Sequence, residues 1–209
     1  MVIGVTGGIA AGKTMVCRVF EEQGAKIVDA DRIGREVVEE EPGVLEALRE
    51  VFGPGMLTPG GTLDRRKLGN IVFADRKAKE KLDRIVHPPL LRRLRTYVAG
   101  ASREDKDRHV VVDAALIVEW GIVDWFDVVV TVRTPERMQI ERLVRRDGWS
   151  RKEAVDRIRS QMSDAEKAKA AYASRAVSFV IWNDGSVEEL RQRALEIWKA
   201  IGASQRKKG

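Results

Sequence analysis

Cysteine is almost missing from this chain. Cys17 stands alone, so no internal disulfide can form, and the protein suits a reducing compartment. Cys17 itself reads as a small apolar residue on a helix. Long apolar runs are missing too. No stretch approaches the ~18 apolar residues of a membrane-spanning helix, so no membrane span is expected. The first apolar stretch starts at Val2, which leaves no room for a signal or transit segment, and a cytoplasmic location is the expectation. There are no internal repeats and no low-complexity tract. Aromatic residues make up 6% of the chain. Trp120, Trp125, Trp149, Trp182 and Trp198 read mostly as core or interface residues. They do not alternate with basic residues as strand-binding surfaces do. The net charge of +6 and pI near 9.6 are dispersed among acidic residues. The one basic block, Arg206-Lys207-Lys208, reads as a solvated end. A small polyanion accounts for the surplus as well as a nucleic acid does.

What is present is sharper. Gly7-Gly8-Ile9-Ala10-Ala11-Gly12-Lys13-Thr14 fits G-x-x-x-x-G-K-[ST], a phosphate-binding loop. Val2, Ile3 and Val5 precede it as a short buried strand, and Met15 to Phe20 continue as a helix. Strand, loop and helix in that order turn backbone N–H groups and a helix N-terminus toward one anion. Gly8, Ile9, Ala10, Ala11, Gly12, Lys13, Thr14 and Met15 are therefore the nucleotide-binding candidates. Lys13 would reach the β/γ-phosphates, and the Thr14 hydroxyl would ligate Mg²⁺.

Strand signals recur at Val2–Val5, Ala25–Val28, Val110–Asp113, Val128–Val132 and Phe179–Ile181. Each is short and rich in Val or Ile, as in strands covered on both faces. Helical stretches separate them, which predicts a three-layer α/β fold with a parallel five-stranded sheet. Two connections are too long for simple crossovers. Between Asp29 and Val110 lie about eighty residues with helical periodicity over 31–39, 43–52, 64–73, 76–86 and 90–99. There His87-Pro88-Pro89 is expected to end one helix and start the next. The segment 134–175 is helical and rich in arginine, with a break at Asp147-Gly148 and a capping box of Ser150 and Glu153. The expected organisation is a nucleotide core (1–30, 106–133, 176–209), a helical insertion (31–105) well placed to hold a second substrate, and an arginine-bearing segment (134–175).

Binding a nucleotide does not specify the acceptor. No Asn-Lys-x-Asp motif marks a GTPase, and the chain is short for a motor or helicase, which leaves a compact kinase. Asp29-Ala30-Asp31 ends the second strand, where ligands bind in open α/β sheets. Asp31 can act on a hydroxyl or cap the following helix; in the former case Asp29 takes the cap. Asp113 closes an apolar strand, the usual place for an aspartate that holds Mg²⁺. Arg142 and Arg146 lie four residues apart on one helix face, suited to an arginine-bearing flap.

Over nearly its whole length the chain resembles dephospho-coenzyme A kinases. Thr6-Gly7-Gly8-Ile9 with Gly12-Lys13-Thr14, Asp29-Ala30-Asp31, Leu63-Asp64-Arg65 and Ile85-Val86-His87-Pro88 carry the likeness. So do Asp113-Ala114-Ala115-Leu116 with Glu119, Arg142, Arg146-Asp147, Arg157-Ile158 with Gln161, and Val180-Ile181 with Asn183 and Gly185. The resemblance implies transfer of the ATP γ-phosphate to the ribose 3′-hydroxyl of dephospho-CoA, the last step of coenzyme A synthesis, with Mg²⁺. It makes Asp31 the base or hydroxyl-orienting group, and Lys13, Asp31 and Arg146 the catalytic set. It also makes 31–105 the acceptor-binding insertion and 134–175 the lid. Thr6, Arg65 and His87 fall on the acceptor side, Arg142 and Asn183 near the adenine or ribose. ATP and dephospho-CoA are the expected partners, without nucleic acid or membrane, and with the oligomeric state open. A kinase for another metabolite is the nearest competitor. A nucleotide-dependent nucleic-acid-binding protein is the more distant one. Three departures affect geometry: Ala10-Ala11 where the family has Gly-Ser, Asp113-Ala114-Ala115-Leu116-Ile117 for Asp-x-Pro-Leu-Leu, and Val177-Ser178 for Ala-Asp.

Overall fold

The computed structural model describes residues 1–105 and 107–206, with the backbone alone for 204–206. Lys207 and Lys208 of the basic block lie outside the described residues. The chain divides into two compact units, one formed by 1–28 with 98 onward, the other by 29–97.

The first unit is built on a five-stranded sheet. Its strands are β1 (Val2–Thr6), β2 (Lys26–Asp29), β3 (Val110–Asp113), β4 (Val128–Arg133) and β5 (Val177–Trp182), in the order β2-β3-β1-β4-β5. β1 runs parallel to β3 and β4, and β4 to β5. Two-sided burial explains the uninterrupted Val/Ile runs: Ile3, Val5, Val111, Val128, Val130 and Val132 lie in one core with Val16, Phe20, Leu190 and Ile201. That core joins the sheet to α1 (Lys13–Glu22) and α9 (Val187–Arg206). Trp198 stacks at a tilt on Phe20 and edge-on to His109. Burial, helped by the N-terminal charge, lowers the proton affinity of His109, as befits a structural residue. Cys17 is buried on α1. Of the tryptophans expected in the core or at an interface, Trp125 and Trp182 are exposed, with the Arg133 guanidinium 4.3 Å from the Trp182 ring centroid.

The segment after β4 forms α6 (Glu136–Asp147), α7 (Arg151–Arg159) and α8 (Asp164–Tyr172). Gly148 makes the expected break in a left-handed conformation, and the Ser150–Glu153 capping box is formed. A second break, after Ser160, adds a third helix to the two that the Asp147-Gly148 break implies. Ser163 and Glu166 build another capping box there.

The second unit is helical: α2 (Ala30–Glu40), α3 (Pro42–Phe52), α4 (Arg65–Ala74) and the start of α5 (Arg76–Glu104). The glycine-rich stretch between α3 and α4 is a turn closed by a Leu57–Leu63 bridge. The expected stop at His87-Pro88-Pro89 is corrected: α5 runs on through both prolines. A proline inside a helix removes a hydrogen bond and costs about 3 kcal/mol. Here the apolar stripe Ala78, Leu82, Leu90, Leu94, Ala101 stays in helical phase across them. Leu90 and Leu94 are buried, and Leu90 packs where Gly34 of α2 leaves no side chain in the way. Packing overrides local propensity.

Candidate active site

The glycine loop leaves the carboxyl end of β1 and enters α1. Gly12 stands at the helix N-cap with φ +102°, with no side-chain cap and no acidic residue in the first turn. A Cβ on Gly12 would run into the Asn183 amide. Ala10 is also left-handed, at φ +59°. That is where the family's glycine would sit, so the alanine methyl does carry a conformational cost.

Three side chains draw the loop's carbonyls outward. The Asn183 Nδ2 and Thr134 hydroxyl donate to the Ala11 carbonyl at 2.7 and 2.9 Å, and Arg142 Nη1 donates to the Ala10 carbonyl at 3.1 Å. In a trans peptide the N–H opposes the C=O, so anchoring the Ala11 carbonyl aims the Gly12 N–H the other way. Arg142 Nη2 also donates to the Asn183 Oδ1 at 3.1 Å. Burial, and then the neighbouring charge of Arg145, lower the proton affinity of Arg142. Arg142 and Asn183 thus meet at the loop, as an internal brace for it.

The Gly8 and Ile9 amides are held from the start of α8 and the turn before it. Asp164 Oδ1 accepts the Gly8 N–H at 2.5 Å and its Oδ2 the Thr134 N–H at 3.1 Å; Gln161 accepts the Ile9 N–H at 3.2 Å. A Cβ on Gly8 would lie 2.8 Å from both Asp164 and Gln139. Ile9 and Ala10 pack against a cluster of α6 and α7 that includes Trp149, whose ring lies beneath the Arg157 guanidinium. Lys13 Nζ rests 3.5 Å from the Gly8 carbonyl, a long bond that is easily exchanged.

Thr14 is exposed on the first turn of α1, and Met15 follows it half-buried. Asp113 ends β3 in register with Val5. A hydroxyl and a single carboxylate are hard oxygen donors suited to Mg²⁺, which takes its remaining ligands from phosphate and water. Among the described residues no group of three or more His, Cys, Asp and Glu could hold a metal by itself, and such a site needs none. Thr6 is fully buried, its hydroxyl donating to the Ala115 carbonyl at 3.1 Å. Arg142 and Arg146, neighbours on one helix, differ in use: Arg146 is exposed and paired with Asp147.

In the second unit Asp29 takes the N-cap of α2 by accepting the Arg32 N–H at 2.9 Å. Asp31 is thereby released from capping and stands exposed in the first turn. Arg65, first residue of α4, donates to Glu39 at 2.9 Å and to the Arg35 carbonyl at 3.3 Å. His87 is not a helix cap; it lies inside α5 with Nε2 3.2 Å from Asp83.

Sequence reasoning missed Asp164, Thr134, Gln139 and Lys167. The Ser163-x-x-Glu166 box could have located α8, but nothing local says that its next residues turn toward the loop.

A family model described as dephospho-CoA kinase matches residues 1–189. A dephospho-CoA kinase of Geobacter sulfurreducens is 40% identical over 197 residues, 94% of this chain and 96% of the relative. One of Bacillus licheniformis is 39% identical over 204 residues, 96% and 98% of the two chains. Among solved structures, TT1252 from Thermus thermophilus matches with a TM-score of 0.75 at 31% identity, over 96% of each chain. Dephospho-CoA kinase from Campylobacter jejuni matches with a TM-score of 0.68 at 26% identity, over 98% of each.

Proposed function

Because the chain belongs to the dephospho-CoA kinase family, we propose that it transfers the γ-phosphate of ATP to the ribose 3′-hydroxyl of dephospho-CoA, giving coenzyme A and ADP in the cytoplasm. The observation that carries this reading is the glycine loop, whose carbonyls are drawn outward by Arg142, Asn183 and Thr134 while α1 begins without a side-chain cap. Such a loop turns the N–H dipoles at the start of α1 toward an anion, while the Gly8 and Ile9 N–H groups are held by Asp164 and Gln161.

Phosphoryl transfer passes through a loose transition state, so catalysis is mainly positioning and charge stabilisation. Lys13 leaves the Gly8 carbonyl for the β/γ-phosphates, and Arg146 exchanges Asp147 for the transferring group. Thr14 and Asp113 would hold Mg²⁺, which neutralises charge on the phosphate oxygens when bound. Asp31 orients the acceptor hydroxyl, with early deprotonation of lesser value. Arg65 and His87 supply polar contacts for the acceptor, joined by Thr6 if its hydroxyl exchanges the Ala115 carbonyl. The helical segment 31–105 binds the acceptor, and 134–175 serves as the lid. The partners are small molecules rather than nucleic acid.

A panel of dephospho-CoA, AMP, CMP and shikimate with the purified protein and ATP tests the reading. ADP formation is expected with dephospho-CoA alone. Preferred phosphorylation of another acceptor would replace the substrate, and no acceptor at all would remove the activity.

A further inference from the structure

The side chain of Lys167, on α8, is 0% exposed. Its Nζ donates to the Ala115 carbonyl at 2.5 Å and to Glu119 Oε1 at 2.6 Å. Glu119 also accepts the Met162 N–H at 3.1 Å. The Ala115 carbonyl is the one that takes the Thr6 hydroxyl. One ammonium therefore ties together the end of β1, the turn after β3 and both the entry and body of α8. Thr6 immediately precedes the glycine loop, and Ala115 follows Asp113 by two residues.

For stability alone this is a poor choice of residues. A buried ion pair is often no better than apolar side chains of similar volume. Burial lowers the proton affinity of Lys167 and the Glu119 carboxylate opposes that; beyond this pair, the like charge of Lys13 lowers it and the carboxylate of Asp164 raises it. The two ammonium groups repel each other, with Glu119 and Asp164 as the counter-charges on Lys167. A bound polyphosphate adds negative charge beside Lys13. The arrangement makes sense for a site that receives several negative charges.

We propose that Lys167 is a positioning residue for phosphoryl transfer. Through the Ala115 carbonyl it fixes the Thr6 and Asp113 ends of β1 and β3, and its charge supports Lys13 from inside the protein. This inference rests on the kinase reading above.

Two variants test it. Lys167→Met leaves Glu119 without its cation and is expected to lower the melting temperature. Lys167→Met combined with Glu119→Gln removes both charges and is expected to regain most of that stability. Turnover separates the roles. In the double variant, kcat per nucleotide-binding site should stay about tenfold or more below wild type, with the KM for ATP changed less than about threefold. If kcat recovers along with the melting temperature, Lys167 is structural only and the proposal fails. Should the double variant not fold, Lys167→Gln keeps a donor and loses the charge; the same lowered kcat is expected, and full turnover overturns the role. Absence of wild-type turnover of dephospho-CoA would remove the kinase reading and this role together. Wild-type turnover beside a fully active double variant removes the role of Lys167 alone.

Discussion

Arg146 is clamped by its own neighbour, Nε and Nη2 each donating at 2.8 Å to one carboxylate oxygen of Asp147. The guanidinium's hydrogen bonds hold the Asp147 carboxyl below its ordinary range, and the pair raises the proton affinity of Arg146 in turn. Arg146 is 65% exposed, so solvent screening keeps such a pair below about 1 kcal/mol. If a phosphate must displace Asp147, Asp147→Asn tightens ATP binding by no more than about fivefold. Arg146→Ala should lower kcat by roughly 10²–10³-fold with a much smaller change in ATP affinity. Nucleotide titration beside steady-state kinetics checks both, and a loss confined to affinity would take Arg146 out of the transition state.

Asp31→Asn should lower kcat on the order of 10²-fold, toward the lower end of what a general base contributes. ATP affinity should be unchanged, since Asp29 and not Asp31 caps α2. The cap assignment adds a control: Asp29→Ala should destabilise by about 1 kcal/mol, whereas Asp31→Asn should leave the unfolding midpoint nearly where it was. Unaltered turnover in Asp31→Asn would end its role in the reaction.

Ala10 offers a stability test. A left-handed L-residue costs roughly 1–2 kcal/mol, while glycine gives back about 0.4–1 kcal/mol through the unfolded chain. Ala10 also packs against the α6–α7 cluster, so Ala10→Gly should gain about 0.5 kcal/mol, or roughly 1–2 °C. Ala10→Val, β-branched at the same φ, should lose stability. Thermal unfolding in the order Gly, Ala, Val from most to least stable is the expectation, and a reversed order would contradict the strain.

The second unit has a pH signature of its own. Burial pushes the Asp83 carboxyl up, but hydrogen bonds from His87 and Lys79 pull it down, and the downward pull wins. A depressed carboxylate contributes stability that is complete above its unfolded pKa of about 3.9 and is lost as pH falls through the folded value. Asp83→Asn should therefore cost about 1 kcal/mol near pH 7. The gap to wild type should close as the pH falls below about 4. Urea unfolding of both proteins across that range measures it, and a gap independent of pH would assign the loss to packing.

Legibility differed sharply between elements. The strands were readable because two-sided burial demands unbroken Val/Ile runs, and the loop because its chemistry needs glycine and lysine at fixed spacing. Asp113 and the Asp29–Asp31 pair followed from strand ends. The helix stop at Pro88 was misread because the compensation comes from Leu90 and Leu94 packing beyond the prolines. Binary patterning also fails on α8. It would place Tyr172 inside and Lys167 outside, yet Tyr172 is 83% exposed and Lys167 fully buried. The partners that allow this, the Ala115 carbonyl and Glu119, lie about fifty residues away in sequence.

The sequence by itself determined the α/β class, the phosphate-binding loop and the family, because each rests on local spacing that backbone geometry enforces. Tertiary structure decided which side chains hold that loop in shape: Asn183, Arg142 and Thr134 on its carbonyls, and Asp164 and Gln161 on its amides. It also decided that Asp29 rather than Asp31 caps α2, and that a lysine occupies the interior of α8. Buried polar groups are tolerated only where partners meet them, and those partners come from segments far apart in the chain. Distance in space chose them, and no local pattern records it.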